Sequence, residues 1–168
     1  MAAEEFRPVE ILRALVEHGV EFVLIGGFAA QLQGSPFPTE DIDVTPARSR
    51  ENLRRLSAAL TSLGARIRTA DEAPLPFAHD AESLDVAGAW NLSTRYGDLD
   101  ISMVPSGTAG YPDLVRGALV VTLDGVDAQM ADLADIVRSK QAANRPKDQR
   151  VLPALRELLV MREDGERR

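Results

Sequence analysis

There is no cysteine in this chain of 168 residues, so disulfides and thiolate metal sites are excluded and a reducing compartment is permitted. No apolar run approaches the ~18 residues that mark a membrane-spanning helix, and the N-terminus carries no signal-peptide pattern. The expectation is a cytoplasmic protein that engages no membrane. Positive charge is also short: 19 Lys and Arg stand against 26 Asp and Glu, a formal net charge of −7. Nonspecific nucleic-acid binding runs on phosphate neutralisation by Lys and Arg, so this balance argues against a general DNA or RNA coat. RNA held locally by a basic patch remains compatible with it, as does a basic protein partner. The chain has no internal repeat and no low-complexity segment, and the dinucleotide-binding G-x-G-x-x-G is missing.

What the sequence does have is concentrated between Ile25 and Val44, IGGFAAQLQGSPFPTEDIDV. Glu21-Phe-Val-Leu-Ile25 reads as a buried strand, and Phe28-Ala-Ala-Gln-Leu-Gln33 as a short helix. Gly26 and Gly27 then sit where strand turns into helix, a place whose outward N–H groups favour phosphate. In Asp41-Ile42-Asp43 the strand period of two puts both carboxylates on one face and Ile42 in the core. Carboxylates so close repel each other unless a cation lies between them, and Mg²⁺ takes oxygen ligands of this kind. The loop between, Gly34 to Glu40, is stiffened by two prolines and offers the hydroxyls of Ser35 and Thr39.

The other elements follow from periodicity and punctuation. Pro8 to His18 predicts an amphipathic helix with Ile11, Leu12, Leu15 and Val16 on one stripe, stopped by Gly19, with His18 a surface cap. Ser49 caps a second helix to about Leu63, with Leu53, Leu56, Leu60 and Leu63 inward, and Gly64 ends it. Ala65 to Arg68 reads as a short strand, and Thr69 to Asp85 as a surface loop in which His79 is uninformative. Ala89 to Met103 predicts a hairpin turning at Gly97-Asp98, whose returning strand puts Asp98, Asp100 and Ser102 on one face. A second hairpin runs from Ala118 to Met130 around Asp124-Gly125. Asp132 to Ala143 and a last helix from Pro146 close the chain, with a kink or late start expected at Pro153 and fraying after about Glu163. Strand–helix alternation with antiparallel hairpins predicts an α+β fold, a mixed sheet with flanking helices. The expected division is 1–130 as the core and 131–168 as C-terminal helices completing the site.

Three carboxylates on adjacent strand faces beside a phosphate-binding helix end suit two-metal phosphoryl or nucleotidyl transfer. Gly26-Gly27, followed fourteen residues later by Asp41-Ile42-Asp43 and then by Asp100, resembles the nucleotidyltransferase superfamily with the DNA polymerase β-like fold. The Gly-Gly variant, the Gly97-Asp-Leu-Asp100 strand and the tail Lys140-Gln-Ala-Ala-Asn-Arg-Pro-Lys-Asp148 resemble the bacterial AbiEii/MenT-type toxins, each encoded beside an antitoxin. The resemblance covers about residues 9–160. It implies that Gly26 and Gly27 bind the β- and γ-phosphates of a nucleoside triphosphate, and that Asp41, Asp43 and Asp100 hold Mg²⁺, two ions in all. It further implies that Asp100 helps to activate the acceptor hydroxyl and that Lys140 neutralises phosphate, with Arg145, Lys147 and Asp148 completing the tail motif. Asp98 is the rival of Asp100 on the same strand face. Two departures stand out: most of the superfamily has Gly-Ser at the double glycine, and many relatives carry an arginine in the loop before the acidic pair. Here that loop is Pro36-Phe37-Pro38-Thr39, so phosphate neutralisation falls to the metals, Lys140 and Arg145.

The leading expectation is a toxin that transfers a nucleoside monophosphate from a triphosphate such as ATP to RNA, at the 3′ end of tRNA, blocking translation, with an antitoxin protein as partner. The basic cluster Arg138, Lys140, Arg145, Lys147 and Arg150 would dock the RNA. The alternatives are the same chemistry on a protein side chain or an antibiotic hydroxyl, or a non-catalytic nucleotide-binding module acting as antitoxin. Thr39 precedes the first proposed metal ligand by two residues, and a phosphate there would add about −1.5 to −2 charge beside the triphosphate and block transfer.

Overall fold

A computed structural model describes residues 5–168; the first four residues of the expected core unit lie outside the described residues. In chain order the elements are α1 (Pro8–Glu17), β1 (Phe22–Ile25), α2 (Gly26–Leu32), β2 (Asp41–Pro46), α3 (Arg50–Ser62), β3 (Arg66–Ile67) and α4 (Ala81–Val86). Then come β4 (Ala89–Thr94), β5 (Gly97–Ser102), α5 (Tyr111–Leu114), β6 (Leu119–Leu123), β7 (Val126–Met130), α6 (Leu133–Ala143) and α7 (Pro146–Glu166). The strands form one mixed seven-stranded sheet in the order β3-β4-β5-β2-β1-β7-β6. Its centre is where strand direction matters. β2 runs antiparallel to β1 and parallel to β5, while β1 runs parallel to β7. The α+β expectation, a mixed sheet with helices packed on it, is the observed architecture.

Local signals explain most of these elements. Pro8 opens α1, whose buried residues Ile11, Leu12 and Leu15 recur at helical spacing, and Gly19 takes the left-handed conformation (φ 71°) just beyond it. The Ser49 hydroxyl accepts the Asn52 N–H at 3.2 Å to cap α3, and Gly64 (φ 64°) ends it. Asp124 (φ 47°) and Gly125 (φ 78°) make a two-residue turn with both φ positive, the twist that suits a tight hairpin. One apolar cluster runs through the sheet and its helices, from Ile11 and Leu24 through Ile42, Leu60 and Leu99 to Leu133, Leu152 and Leu155. Leu152 and Leu155 of α7 therefore share the core of the sheet.

Five expectations need correction. Val16, assigned to the inner stripe of α1, is 37% exposed, because the stripe is satisfied by Ile11, Leu12 and Leu15. The first long hairpin turns two residues earlier than expected, at Arg95-Tyr96, and Gly97 already pairs with Thr94 as the first residue of β5. Part of the 69–85 loop is helical: Asp80 and Ser83 form a reciprocal capping box that starts α4. His79 is not idle either, since its Nδ1 lies 2.7 Å from the Ser57 hydroxyl and its ring packs on Phe77.

The fifth correction is α7. It runs unbroken through Pro153 and on to Glu166. A proline there removes the partner of the Gln149 carbonyl. Pro153 and Gln149 both face solvent, where the unpaired carbonyl is least costly, while Leu152 and Leu155 anchor the opposite face. Among the described residues no helix is long and apolar enough to cross a membrane.

Candidate active site

The site begins with strand register. Because β5 lies parallel to β2, Asp43 pairs with Asp100 and Asp41 with Asp98. Alternation sends Ile42, Leu99 and Ile101 into the core, where all three are buried, and leaves the aspartates on the other face. One oxygen from each of Asp41, Asp43 and Asp100 lies within 4.8 Å of the others. Thr39 orients the first of them, its hydroxyl donating to Asp41 Oδ1 at 2.8 Å.

Such a cluster is electrostatically unhappy. Burial pushes Asp43 up to about 7, with the Asp41 and Asp100 charges adding to the effect and Lys140 and Lys147 opposing it. Burial likewise raises Asp100, to about 6; Arg68 opposes that shift, whereas Asp41 adds to it. Close carboxylates held above their ordinary range are short of positive charge. The donor set is three hard oxygens, the chemistry of Mg²⁺ rather than of a thiolate-loving metal. The residues fit the ion.

The double glycine has a more local role than phosphate recognition alone. Gly26 and Gly27 are the first two residues of α2 itself, not a turn ahead of it. Gly26 has φ +73°, and a Cβ there would fall onto the Asp43 side chain, 2.8 Å from Cγ. At Gly27 an added Cβ would meet the Thr39 hydroxyl at 3.4 Å. The first glycine is thus required by the carboxylate packed against it, whatever its N–H groups bind.

Asp41, Asp43 and Asp100 open into a cleft of about 680 Å³, which Gly26, Gly27 and Thr39 also line. Across it stand Lys140 from α6, and Arg145 and Lys147 from the α6–α7 corner. Asn144 makes that corner in the left-handed conformation (φ 51°). Asp148 braces it from below: wholly buried, it accepts from Arg145 Nε at 2.7 Å and from the Arg145 backbone N–H at 3.1 Å, with Lys140 Nζ 3.7 Å away. Burial acts to raise Asp148, but the Arg145 hydrogen bonds prevail and hold it below the ordinary carboxylate range. Gln33 ties α2 to the start of α6, its side chain accepting the Leu133 N–H at 3.0 Å and donating to the Ala131 carbonyl at 2.9 Å.

Gly26, Gly27, Thr39, Asp41, Asp43, Asp100, Lys140, Arg145 and Lys147 therefore line one cleft, with Asp148 buried behind Arg145 and Lys140. The basic cluster does not hold together as one surface. Arg138 turns away to Asp113 and Asp135, at 3.1 and 3.0 Å, and neither it nor Arg150 lines the cleft. One residue was missed. Arg68, just beyond β3, crosses β4 and donates to Asp100 Oδ1 at 2.8 Å, with Asp98 Oδ2 at 3.3 Å. Nothing in Ala65-Arg-Ile-Arg68 separates it from Arg66, which is exposed; only strand order brings it to the acidic face.

No family model matches the sequence, and no curated protein matches it. Solved structures do. The lincosamide antibiotic adenylyltransferase LnuA, lincomycin-bound, superposes with a TM-score of 0.60 over 92% of this chain and 99% of its own, at 13% identity. ANT(2″)-Ia in complex with adenylyl-2″-tobramycin gives a TM-score of 0.53 at 16% identity, covering 93% of this chain and 92% of that one. A candidate nucleotidyltransferase from Thermotoga maritima gives 0.50 at 15% identity over 98% of both chains. The fold is that of the nucleotidyltransferases. At such identities the likeness is one of fold, and the nucleotidyltransferase fold here carries its acids on β2 and β5.

Proposed function

We propose that the chain is a Mg²⁺-dependent nucleotidyltransferase, moving a nucleoside monophosphate from a nucleoside triphosphate to an acceptor hydroxyl. The observation that carries this reading is the opposition of charge across one cleft, three aspartates on the sheet against Lys140, Arg145 and Lys147 on the helical wall. Asp41, Asp43 and Asp100 would hold the metal. Bound there, Mg²⁺ supplies positive charge to the attacking and leaving oxygens of an in-line displacement. Lys140, Arg145 and Lys147 bind the triphosphate, and the start of α2 at Gly26-Gly27 adds backbone N–H groups. The acceptor oxygen bonds to the α-phosphorus as the bond to the pyrophosphate oxygen breaks. The hydroxyl proton passes to the Asp100 carboxylate, the group that the sequence resemblance assigns to activating the acceptor.

For the acceptor we propose RNA, at the tRNA 3′ end, with the chain acting as the toxin of a toxin–antitoxin pair. Its support is the resemblance carried by the Gly97–Asp100 strand and the Lys140–Asp148 tail. One observation favours a second reading. Beside the cleft a shallow groove is lined by Glu40, Asp41 and Asp98 with no basic residue in its wall, Arg68 pairing only with the last of these, so that approach is acidic. An acidic approach suits a cationic small molecule or a protein side chain better than a polyanion. The test is to incubate the protein with Mg²⁺, each labelled triphosphate in turn, and either total tRNA, aminoglycoside and lincosamide antibiotics, or cell protein. Label on tRNA that is lost in Asp41→Ala supports the first reading. Label only on a cationic antibiotic or on protein moves the assignment to the second, and no transfer from any triphosphate to any acceptor overturns both.

A further inference from the structure

Arg68 reaches the acidic face from outside it. Its backbone N–H donates to the Asn91 carbonyl at 3.0 Å, fixing where the side chain departs from the edge of the sheet. The guanidinium is then held at three points: the Leu92 carbonyl at 3.2 Å, Asp98 Oδ2 at 3.3 Å and Asp100 Oδ1 at 2.8 Å. With only 30% of its side chain exposed, this is not a loose surface pair. The planar fork, anchored on a backbone carbonyl, dictates how the Asp100 carboxylate is turned. The same fork engages Asp98, the neighbouring carboxylate that would otherwise compete for a cation.

We infer that Arg68 is a positioning residue that sets the cation selectivity of the site, by occupying Oδ1 of Asp100 and so restricting that carboxylate to a single oxygen as metal ligand. The inference rests on the proposed role of Asp100 as a ligand. Mg²⁺ wants near-ideal octahedral geometry with one oxygen from each carboxylate, whereas the larger Ca²⁺ accepts six to eight oxygens and takes carboxylates bidentately. A carboxylate with one oxygen already committed suits the smaller ion. Removing the guanidinium frees both Asp100 oxygens, releases Asp98, and takes a positive charge away from the ions. The first two changes favour Ca²⁺ relative to Mg²⁺, while the third strengthens the binding of both ions alike.

The test measures binding rather than turnover. Dissociation constants for Mg²⁺ and Ca²⁺ are obtained by calorimetry on wild-type protein and on Arg68→Ala, Arg68→Lys and Arg48→Ala, each checked for a wild-type circular dichroism spectrum. Arg48, paired with Asp85 at 2.8 Å and away from the cleft, controls for the loss of one positive charge. Loss of an outer partner of a metal ligand typically changes metal affinity about 10–100-fold, and a shift of that order in the Mg²⁺-to-Ca²⁺ ratio is expected in Arg68→Ala. Arg68→Lys, which keeps the charge but not the fork, should fall between it and wild type, and Arg48→Ala should match wild type. A wild-type ratio in Arg68→Ala overturns the inference while leaving the proposed function intact. Failure of the wild-type protein to bind either ion overturns the inference, while the proposed function stands or falls by the transfer assay.

Discussion

Gly26 concentrates the demands made on a single residue. Its φ of +73° lies where a side chain is strained, and the volume a Cβ would fill is taken by Asp43. Any substitution must rotate the helix start or push the carboxylate out of the acidic cluster. Gly26→Ala should therefore cost about 1–2 kcal/mol for the backbone conformation alone. It should also abolish transfer, because Asp43 can no longer sit beside Asp41 and Asp100. Gly27→Ala makes the informative comparison. Its Cβ would meet only the Thr39 hydroxyl at 3.4 Å, and no positive φ is involved. Thermal melts and transfer assays on the two variants should show a large loss at residue 26 and a small one at 27. Equal losses would mean that the glycines matter through phosphate contact alone. Legibility was uneven at this scale. Asp41 and Asp43 could be found because two residues in a strand share a face by geometry. The reason for Gly26 could not, since it lies in a contact between β2 and α2 that only the folded chain makes.

Among the elements, those that punctuate themselves were the readable ones. Ser49 and Gly64 bracket α3, and Asp124-Gly125 fixes the β6–β7 hairpin, because each uses a backbone conformation or a cap that few residues supply. The misses came where tertiary packing chose between local options. At Pro153 the buried Leu152 and Leu155 keep α7 continuous where the proline alone would break it. At Gly97 pairing with Thr94 drew the glycine into the strand instead of the turn. Arg68 was unreadable because β3 reaches the acidic face only through the strand order β3-β4-β5-β2. The corner joining α6 to α7 offers a test at this scale. Asp148 is wholly buried and held to Arg145 by two side-chain bonds of 2.7 and 3.2 Å and one backbone bond. Breaking a buried pair by removing one partner typically costs about 3–5 kcal/mol, and the exposure of Arg145 puts the expected loss for Asp148→Ala toward or below the lower end. At about 2–4 °C per kcal/mol for a chain of this size, melting should drop by roughly 5–10 °C. The freed corner should also raise KM for the triphosphate more than it lowers kcat, since Lys140, Arg145 and Lys147 are argued to bind phosphate. A kcat loss with KM unchanged would count against that role.

For the whole molecule, the acidic cluster places a load on folding that depends on pH. Asp43 at about 7 and Asp100 at about 6 both lie above the ordinary carboxylate value of 3.8, so the folded chain binds protons that the unfolded chain has already released. The sign follows directly: stability from these groups is present at low pH and falls as pH rises from about 4 to about 7, then levels off. For Asp43 alone the difference is on the order of 4 kcal/mol. Asp100 adds less than its own shift implies, because protonating one carboxylate relieves the other. Asp148 works the other way, its carboxyl held below the usual range, but what it contributes is lost only as pH falls below about 4, so the windows separate. Metal-free protein should thus melt several degrees higher at pH 5 than at pH 8. Mg²⁺ and protons compete for the same oxygens, so saturating Mg²⁺ should raise the melting temperature at pH 8 and barely move it at pH 5. Asp43→Asn removes the largest part of the load. It should melt higher than wild type at pH 8 without metal, flatten the pH dependence, lose the Mg²⁺ response, and be inactive: a variant stabilised by the loss of its site. A melting temperature that rises between pH 5 and pH 8 in metal-free wild-type protein, or an Asp43→Asn variant less stable than wild type at pH 8, would show that the aspartates are compensated within the chain and are not poised for a cation.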